Sequence, residues 1–498
     1  MGAGCGAGPG RHSGLPREHQ HQRRAGTAAA ACQPYNPFGR NVSQAALDYV
    51  YSTLKEDQVM SQHAASAGIT GTVFNLPAGP LAVAAGLEYR RDQADVEHDA
   101  LANLYAYFQN YGTDYSGKLN AAEAYVEAEV PLVSGVTGID ALSMNAAARR
   151  TRYNISGEGV AGPSQNTTWA NTWKFGMAYQ PVEWTRFRAT ISRDIRAPIY
   201  YELFATSSSS FGSVINRFNH NEVESPNVFG GGNPQLNPER GMTRTFGVVV
   251  QPPFVDGLSL STDYYAIKIS GNIGSAGAAQ TIIDNCYQGI AQYCDLLSFS
   301  DAAKTTITQV RTGNVNLQWT KNRGIDTEVA YRLPLSKFSE LPGSFDFRLL
   351  GNHLLKNETL NNTTLTDSTD AYGGTWTVSL ITGYTADRWQ ANLTTRYVGG
   401  GKVNVLYFDP RDSGYTGTTQ LNSVNANHIG SVVYFNLNGS VAFDADKKVE
   451  AFWQVNNLLD RLPPVIPTSP VGVQSSPSSP TYYDTLGRSY KVGVRLKF

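Results

Sequence analysis

The chain is 498 residues long, and its 40 basic and 41 acidic residues give a formal net charge of −1, which argues against a general nucleic-acid binder. Charged residues make up only 16% of the chain, whereas tyrosine (27) and glycine (48) are abundant, so many strands joined by turns are favoured over packed helices. No apolar run approaches the roughly 18 residues of a membrane-spanning helix, which leaves a closed barrel of strands as the remaining way to cross a bilayer.

The N-terminal segment differs from the rest of the chain. Residues 1–31 are rich in Gly, Ala, Arg and His, show no periodicity and lack the apolar core of a secretory signal. We expect a disordered leader or a misassigned start, because the character of the sequence changes abruptly at CQPYNPFGRN. Residues 41–57 are predicted to form a short surface helix with Ser43 as its N-cap.

Apolar and polar residues alternate strictly in many segments, among them NAAEAYVEAEVPL, TRFRATISRD, GIDTEVAYRL, WQANLTTRYVG and the terminal RSYKVGVRLKF. Period-two alternation places the two sets on opposite faces of a strand. About fifteen such strands are predicted, near 58–74, 80–93, 119–131, 141–153, 171–181, 184–195, 241–251, 257–270, 315–333, 344–355, 374–386, 388–399, 431–444, 447–456 and 488–498. Short and long connections alternate between them throughout, as in an up-and-down sheet with turns at one rim and long loops at the other.

The number of strands decides whether the apolar face of the barrel points inwards or outwards. About eight strands already make a barrel that side chains can fill, so a barrel of about fifteen must turn its apolar face outwards, towards lipid. A charge on the lipid face costs about 2–4 kcal/mol at the midplane. Glu127, Arg186 and Arg396 should therefore face the interior. The prediction is an all-β protein, an antiparallel up-and-down transmembrane β-barrel.

Two of the four cysteines, Cys286 and Cys294, lie close together in IIDNCYQGIAQYCDLL, and no histidine is near enough to suggest a zinc site. A disulfide between them is predicted, which implies an oxidising compartment. A continuous helix would hold their α carbons about 12 Å apart, too far to bridge, so we expect a broken helix or a turn. No pairing is predicted for Cys5 or Cys32.

Two long loops are rich in aromatic residues, YAYFQNYGTDY and VLYFDPRDSGY. They could hold a sugar ring or a planar chelate, although solvated loop aromatics are the alternative. The candidate ligand contacts are Tyr105, Tyr107, Phe108, Tyr111, Tyr407, Phe408, Arg411 and Tyr415, with Tyr115 in the same run. No catalytic constellation and no metal-ligand spacing emerges, so neither an enzyme nor a cofactor is predicted.

Several blocks in order resemble the barrel of TonB-dependent outer-membrane receptors: SRDIRAPIYYELF (192–204), NPQLNPERGMTRTFGVVV (233–250), DGLSLSTDYYAIKISGNI (256–273) and VNNLLDR (455–461). The resemblance covers residues 32–498. The residues that carry the first motif are Arg193, Arg196, Pro198, Glu202 and Phe204. The terminal residues Tyr490, Val494, Leu496 and Phe498 resemble the signal that the barrel-assembly machinery reads.

The resemblance implies a signal peptide, a plug with a TonB-binding segment and a barrel of about 22 strands that takes up scarce siderophores, cobalamin or oligosaccharides with energy from TonB. Here neither a signal peptide, nor a TonB-binding segment, nor a plug is recognised, and the strands are about seven too few. We therefore expect residues 1–31 to be the leader and 32–498 a plug-less barrel domain, a truncated form with transport inherited by resemblance.

The expected location is the outer membrane of a Gram-negative cell, with lipid, the assembly machinery and a small-molecule or oligosaccharide ligand as partners. A TonB complex is expected for a full-length relative. A passive porin-like channel is the alternative function, and an adhesin or phage receptor is a third.

Overall fold

A computed structural model describes residues 42–104, 106–107, 112–159, 162–338, 340–361, 364–417, 422–444, 446–465 and 481–497. Its main sheet is a meander in which each strand pairs antiparallel with the next along the chain. The fifteen strands are β1 (Glu56–Leu76), β2 (Gly79–His98), β3 (Tyr115–Val136), β4 (Ile139–Gly159), β5 (Gly162–Val182), β6 (Thr185–Arg196), β7 (Glu239–Val250), β8 (Leu258–Ser275), β9 (Asn314–Pro334), β10 (Ser344–Asn361), β11 (Trp376–Thr385), β12 (Trp389–Val398), β13 (Val432–Ala442), β14 (Val449–Asn456) and β15 (Ser489–Leu496).

The predicted all-β, up-and-down arrangement is confirmed, including the number of strands on this path. A further short strand, Thr364–Asp367, extends the sheet beside β10. Within the described ranges β1 pairs only with β2 and β15 only with β14, so these two strands form the edges of the sheet.

The two faces of the sheet differ in polarity, as the alternation predicts. Residues directly opposite each other in neighbouring strands share a face. Arg188, Asp263, Asp326, Glu328 and Arg396, from four strands between β6 and β12, line one cavity of about 420 Å³, so the charged face is the concave, inward one. The predicted inward orientation of Arg396 is thereby confirmed.

The register gives the orientation of the other two predicted inward charges. Arg186 lies on the same face of β6 as Arg188, two residues along the strand. Glu127 of β3 shares the inward face with Glu123, which lines a second inner cavity. Both predictions are confirmed.

Aromatic residues on the outward face gather at the two rims. At the short-turn rim, Tyr179 stacks on Phe187 with ring centroids 6.1 Å apart, and Tyr384 lies 4.6 Å from Trp389. Toward the long-loop rim the outward residues include Trp169, Trp173, Trp319 and Trp376, by their cross-strand pairing. Two aromatic zones that flank an apolar band are typical of a barrel placed across a bilayer.

The helices are short: α1 (Gln44–Val50), α2 (Ala100–Asn103), α3 (Tyr200–Phe204), α4 (Ala279–Tyr287), α5 (Ala291–Cys294) and a 3₁₀ turn at Leu335–Lys337. Ser43 is the N-cap of α1 and its Oγ accepts from the Ala46 amide at 3.2 Å. The predicted helix 41–57 is too long, since the backbone is already extended at Tyr51. No helix in the described part of the chain is both long and apolar enough to span a membrane.

Two long connections, 197–238 and 276–313, fold together into one unit, which we call the outer-loop body. A four-stranded sheet joins Leu297–Phe299, Ile307–Arg311, Asn227–Gly231 and Thr206–Phe211, and the hairpin Val214–Asn216/Glu222–Glu224 lies beside it. Its core is fully buried and includes Ile282, Ile283, Tyr293, Ile307 and Val310. A separate short pair, Gly401–Lys402 with His428–Ile429, braces the loop after β12.

The outer-loop body contains the disulfide that joins Cys286 and Cys294, with α carbons 4.8 Å apart. The expected break in the helix is present, since α4 ends at Tyr287 and α5 begins at Ala291. Cys5 and Cys32 lie outside the described residues.

Replacing both Cys286 and Cys294 with serine should lower the local stability of the outer-loop body by roughly 2–3 kcal/mol, because the cross-link restricts the unfolded loop. Hydrogen–deuterium exchange should accelerate in 276–313 and stay slow in β8 and β9. Wild-type protein treated with a reductant is the control and should show the same change. Unaltered exchange in the serine variant would contradict a stabilising role.

Candidate functional site

The inward face encloses a chamber of about 840 Å³ at the long-loop end of the first six strands. We call it the inner chamber. Its wall combines inward side chains of β1–β6 with the start of the loop that follows β6. The charged and aromatic residues of the lining include Arg90, Asp92, Tyr115, Glu123, Arg149, Tyr153, Asp194, Arg196, Tyr200 and Tyr201.

Helix α3 packs against the inward face of β3 and β4 and closes one side of this chamber. Phe204 is 2% exposed, and a Cβ atom built on Gly117 or Gly157 would lie 2.5 or 2.6 Å from its ring. Only glycine leaves room for the ring at these two positions. Leu119 and Ile155, which are inward and buried, pack in the same cluster.

The loop entering α3 is held by one arginine between two carboxylates. Arg196 donates to Glu239 (Nε 2.9 Å, Nη2 2.7 Å) and to Glu202 (Nη1 3.0 Å, Nη2 2.9 Å). Glu202 also accepts from the Ile199 amide at 2.9 Å and so caps α3, while Glu239 accepts from the Ile273 amide at 2.8 Å. This network fixes the segment 196–198 to β7 and β8.

Four residues of the predicted family motif are thus brought together around α3. Arg196 and Glu202 form the ion pair, Pro198 is buried beside them, and Phe204 is the packed ring. Arg193 is separate, because the register pairs it with Trp173 and Met242 on the outward face.

Charges in the inner chamber are largely compensated. The Arg149 guanidinium is 2.8 Å from Glu123 and lies 5.0 Å above the Tyr125 ring, and Arg90 is 3.1 Å from Asp92. The lining holds three arginines and three carboxylates, so no strong net charge selects the ligand. The chamber is suited to a polar ligand with many hydrogen-bonding groups and rings that can lie on tyrosines.

Tyr200 is a chamber residue with an unpaired hydrogen-bond donor. Its hydroxyl oxygen is buried and has no partner among the described residues. Burial, followed by the charge of Asp92, raises the pKa of Tyr200 well above its usual range, so the phenol stays protonated at neutral pH. Tyr200 was not among the ligand contacts predicted from the sequence.

The predicted loop aromatics fall into different settings. Tyr105, Phe108 and Tyr111 lie outside the described residues. Tyr107 has a local role, because its hydroxyl donates to the Thr53 carbonyl and to Asp99, each at 3.2 Å. Tyr115 lines the inner chamber.

In the second loop, Tyr407 is 37% exposed and Phe408 is half-buried beside Gly414. Tyr415 is half-buried, and Arg411 is paired with Asp409 at 2.7 Å. No ring contact in the described ranges joins this loop to Tyr107, so the two aromatic runs do not form one site there.

The second loop contains a buried carboxylate that sequence reasoning missed. Asp409 accepts hydrogen bonds from Arg411, from the Asn427 amide at 2.9 Å and from His428 Nδ1 at 2.9 Å. The hydrogen bond from Arg411 is the largest of the effects that keep the pKa of Asp409 far below its usual range. Lys402 Nζ lies 2.7 Å from Oδ1 of the neighbouring Asp412. Asp409, Asp412 and His428 lie close enough together to be metal ligands. However, Arg411 already pairs with Asp409, and Lys402 already pairs with Asp412. The cluster therefore orders the loop.

The terminal strand β15 is an edge with an apolar outward row. Tyr490, Val494 and Leu496 are 70%, 63% and 54% exposed, on one face of the strand. Phe498, the last residue of the predicted assembly signal, lies outside the described residues.

The family model described as "TonB dependent receptor-like, beta-barrel" matches residues 18–458, most of the chain. The chain belongs to this family, whose members are outer-membrane receptors. No curated protein matches the sequence.

Solved structures with the same fold include the FrpB iron transporter from Neisseria meningitidis, with 12% identity, a TM-score of 0.53 and coverage of 88% of this chain and 55% of that one. The ferripyoverdine receptor of the outer membrane of Pseudomonas aeruginosa, bound to ferripyoverdine, matches with 13% identity, a TM-score of 0.50 and coverage of 82% and 46%. The chain thus spans about half the length of these receptors.

Proposed function

We propose that this chain forms the barrel wall of an outer-membrane receptor that captures a scarce, polar ligand and passes it inward. The inner chamber carries this proposal, because it lies beneath the long loops and is lined by tyrosines and compensated charges. The ligand is of the siderophore, cobalamin or oligosaccharide class. Such ligands present rings and many oxygens, which match the phenol of Tyr200 and the paired arginines.

The energy for passage would come from the TonB complex, as in the family, and the barrel-assembly machinery would insert the chain. The outward apolar band between two aromatic zones supports a location across the outer membrane. Solved relatives that are an iron transporter and a ferripyoverdine receptor are consistent with a metal chelate as one candidate ligand.

The test is a binding titration of the purified full chain in neutral detergent with a ferric siderophore, cobalamin and a linear oligosaccharide. One class should bind, and Arg149→Gln should weaken it about tenfold, because a charge-assisted hydrogen bond contributes about 1.5–3 kcal/mol. Arg332→Gln is the matched control, since Arg332 pairs with Asp346 at 3.7 Å, away from the chamber lining.

Planar-bilayer recordings separate the receptor from a passive channel. If none of the three ligand classes binds while the full chain conducts ions steadily, the porin-like alternative replaces the proposal.

A further inference from the structure

Eight basic side chains point outwards towards the long-loop ends of five of the six strands from β4 to β9. Their orientation follows from the cross-strand register, in which Arg152 lies opposite Trp169 and Lys268 opposite both Met242 and Lys321. We call this row the basic belt. It consists of Arg150, Arg152, Arg193, Arg240, Arg244, Lys268, Lys321 and Arg323.

The basic belt directly adjoins the apolar band on the same face. On β6 the outward residues before Arg193 are Phe187, Ala189 and Ile191. On β7 the outward residue that follows Arg244 is Phe246, which is 56% exposed. A molecule that covers this part of the surface therefore meets cations at one end and apolar side chains at the other.

Cations on the two faces differ in their partners. The inward residues Arg149, Arg188 and Arg348 each pair with a carboxylate of the chain, at distances of 2.8 Å or less. Of the basic belt, only Lys321 has a carboxylate within 4.0 Å among the described residues, Glu358 at 3.9 Å.

The four central strands offer the basic belt no negative charge, whereas Glu158 of β4 and Glu358 of β10 lie on the outward face at its two ends. The outward positions of β5, β6, β7 and β8 carry no acidic residue. Like charges crowded on one surface repel each other, so an anion from outside the chain would be stabilised here.

Two tryptophans hold the ends of the belt in place without neutralising them. The Trp169 ring lies 4.5 Å from the Arg150 guanidinium carbon and 5.8 Å from that of Arg152. Lys321 Nζ is 4.2 Å from the centroid of Trp319. These cation–π contacts orient the groups and leave their hydrogen-bond donors available.

We propose that the basic belt binds the phosphate groups of an acylated lipid of the surrounding leaflet, whose hydrocarbon chains cover the adjoining apolar band. Guanidinium groups match phosphate geometry in a bidentate manner, and cations beside a membrane attract anionic headgroups. The length of the belt, six strands from β4 to β9, suits a headgroup with more than one phosphate. This inference rests on the membrane location proposed above.

The test uses the full chain purified in neutral detergent and a bis-phosphorylated lipid A, with its dephosphorylated form as the comparison. Native mass spectrometry counts the bound lipid. Arg150→Gln/Arg152→Gln/Arg193→Gln should weaken binding of the phosphorylated lipid by roughly 100-fold, because each basic residue near an anionic headgroup contributes about fivefold. The matched control, Lys174→Gln/Arg186→Gln/Arg396→Gln, removes three inward cations and should bind as the wild type does.

Further arms make the result decisive. Lysine at the three belt positions should restore most of the binding, and raising the ionic strength should weaken wild-type binding. Equal binding of the two lipids, or equal loss in the inward control, would overturn the proposal. If the glutamine variant does not fold, wild-type binding that is insensitive to salt overturns it in the same way. Chamber ligands are absent throughout, so failure of the proposed transport function would leave this result unchanged.

Discussion

Phe204→Ala is expected to destabilise the packing of α3 on the barrel wall by about 3–5 kcal/mol, because it empties a fully buried aromatic site. The ring is enclosed by Gly117 and Gly157 beneath it and by the buried Leu203 and Leu236 beside it. Close-packed neighbours of this kind relax little, so a cavity remains. Hydrogen–deuterium exchange should accelerate across 197–238, while the strand centres of β3 and β4 stay protected.

Tyr201→Ala is the matched control for this prediction. Tyr201 is an aromatic residue of the same helix but is 63% exposed, so its removal should change exchange in 197–238 very little. A second variant, Gly117→Val, should displace the ring from beneath and reproduce the effect, because the atoms nearest to a Cβ there belong to the Phe204 ring. If Phe204→Ala and Tyr201→Ala behave alike, the ring does not anchor the loop.

Arg196→Met should lower the local stability of the same region by about 3 kcal/mol, since it leaves two poorly solvated carboxylates without their counter-ion. Glu239 is 8% exposed, and the Glu202 side chain is 16% exposed. The estimate lies at the lower end of the range for buried pairs because the Arg196 side chain is itself 43% exposed. Urea-dependent proteolysis within 197–238 would measure the change.

A double-mutant cycle checks the cause. Glu239→Gln combined with Arg196→Met should cost less than the sum of the two single changes, because the uncompensated charge is removed with its partner. Arg193→Met, three residues earlier and outward-facing, is the control and should leave proteolysis unchanged. Additive effects of the first pair would contradict the ion-pair explanation.

The sequence predicts the barrel strands well because each of them is specified locally. Alternation in β9 places its ends within one residue of the predicted 315–333. The predicted strand 119–131 is too short, since β3 runs from Tyr115 to Val136. At the long-loop end the strand gains residues 115–118, whose inward members Tyr115 and Gly117 pack against the cluster around α3 and so carry no polar–apolar signal.

The outer-loop body could not be predicted in the same way. Its strands have three to six residues, too few for a period to show, and the pairing that joins its two loops links segments about 80 positions apart, such as Asn227 with Gln309. The sequence carries only a weak signal of the inner chamber. Leu119 and Ile155 are apolar at inward positions, and this interruption of the pattern marks where something covers the wall.

The shared sheet of the outer-loop body has a mechanical consequence. Segments 197–238 and 276–313 contribute strands to one sheet. Neither segment can therefore move alone without breaking its backbone hydrogen bonds to the other. The unit joins the wall at four crossings, after β6, before β7, after β8 and before β9. Any widening of the barrel opening on this side must therefore come from a rigid-body tilt of the whole outer-loop body about those four connections. A single cross-link at one of them would prevent this motion.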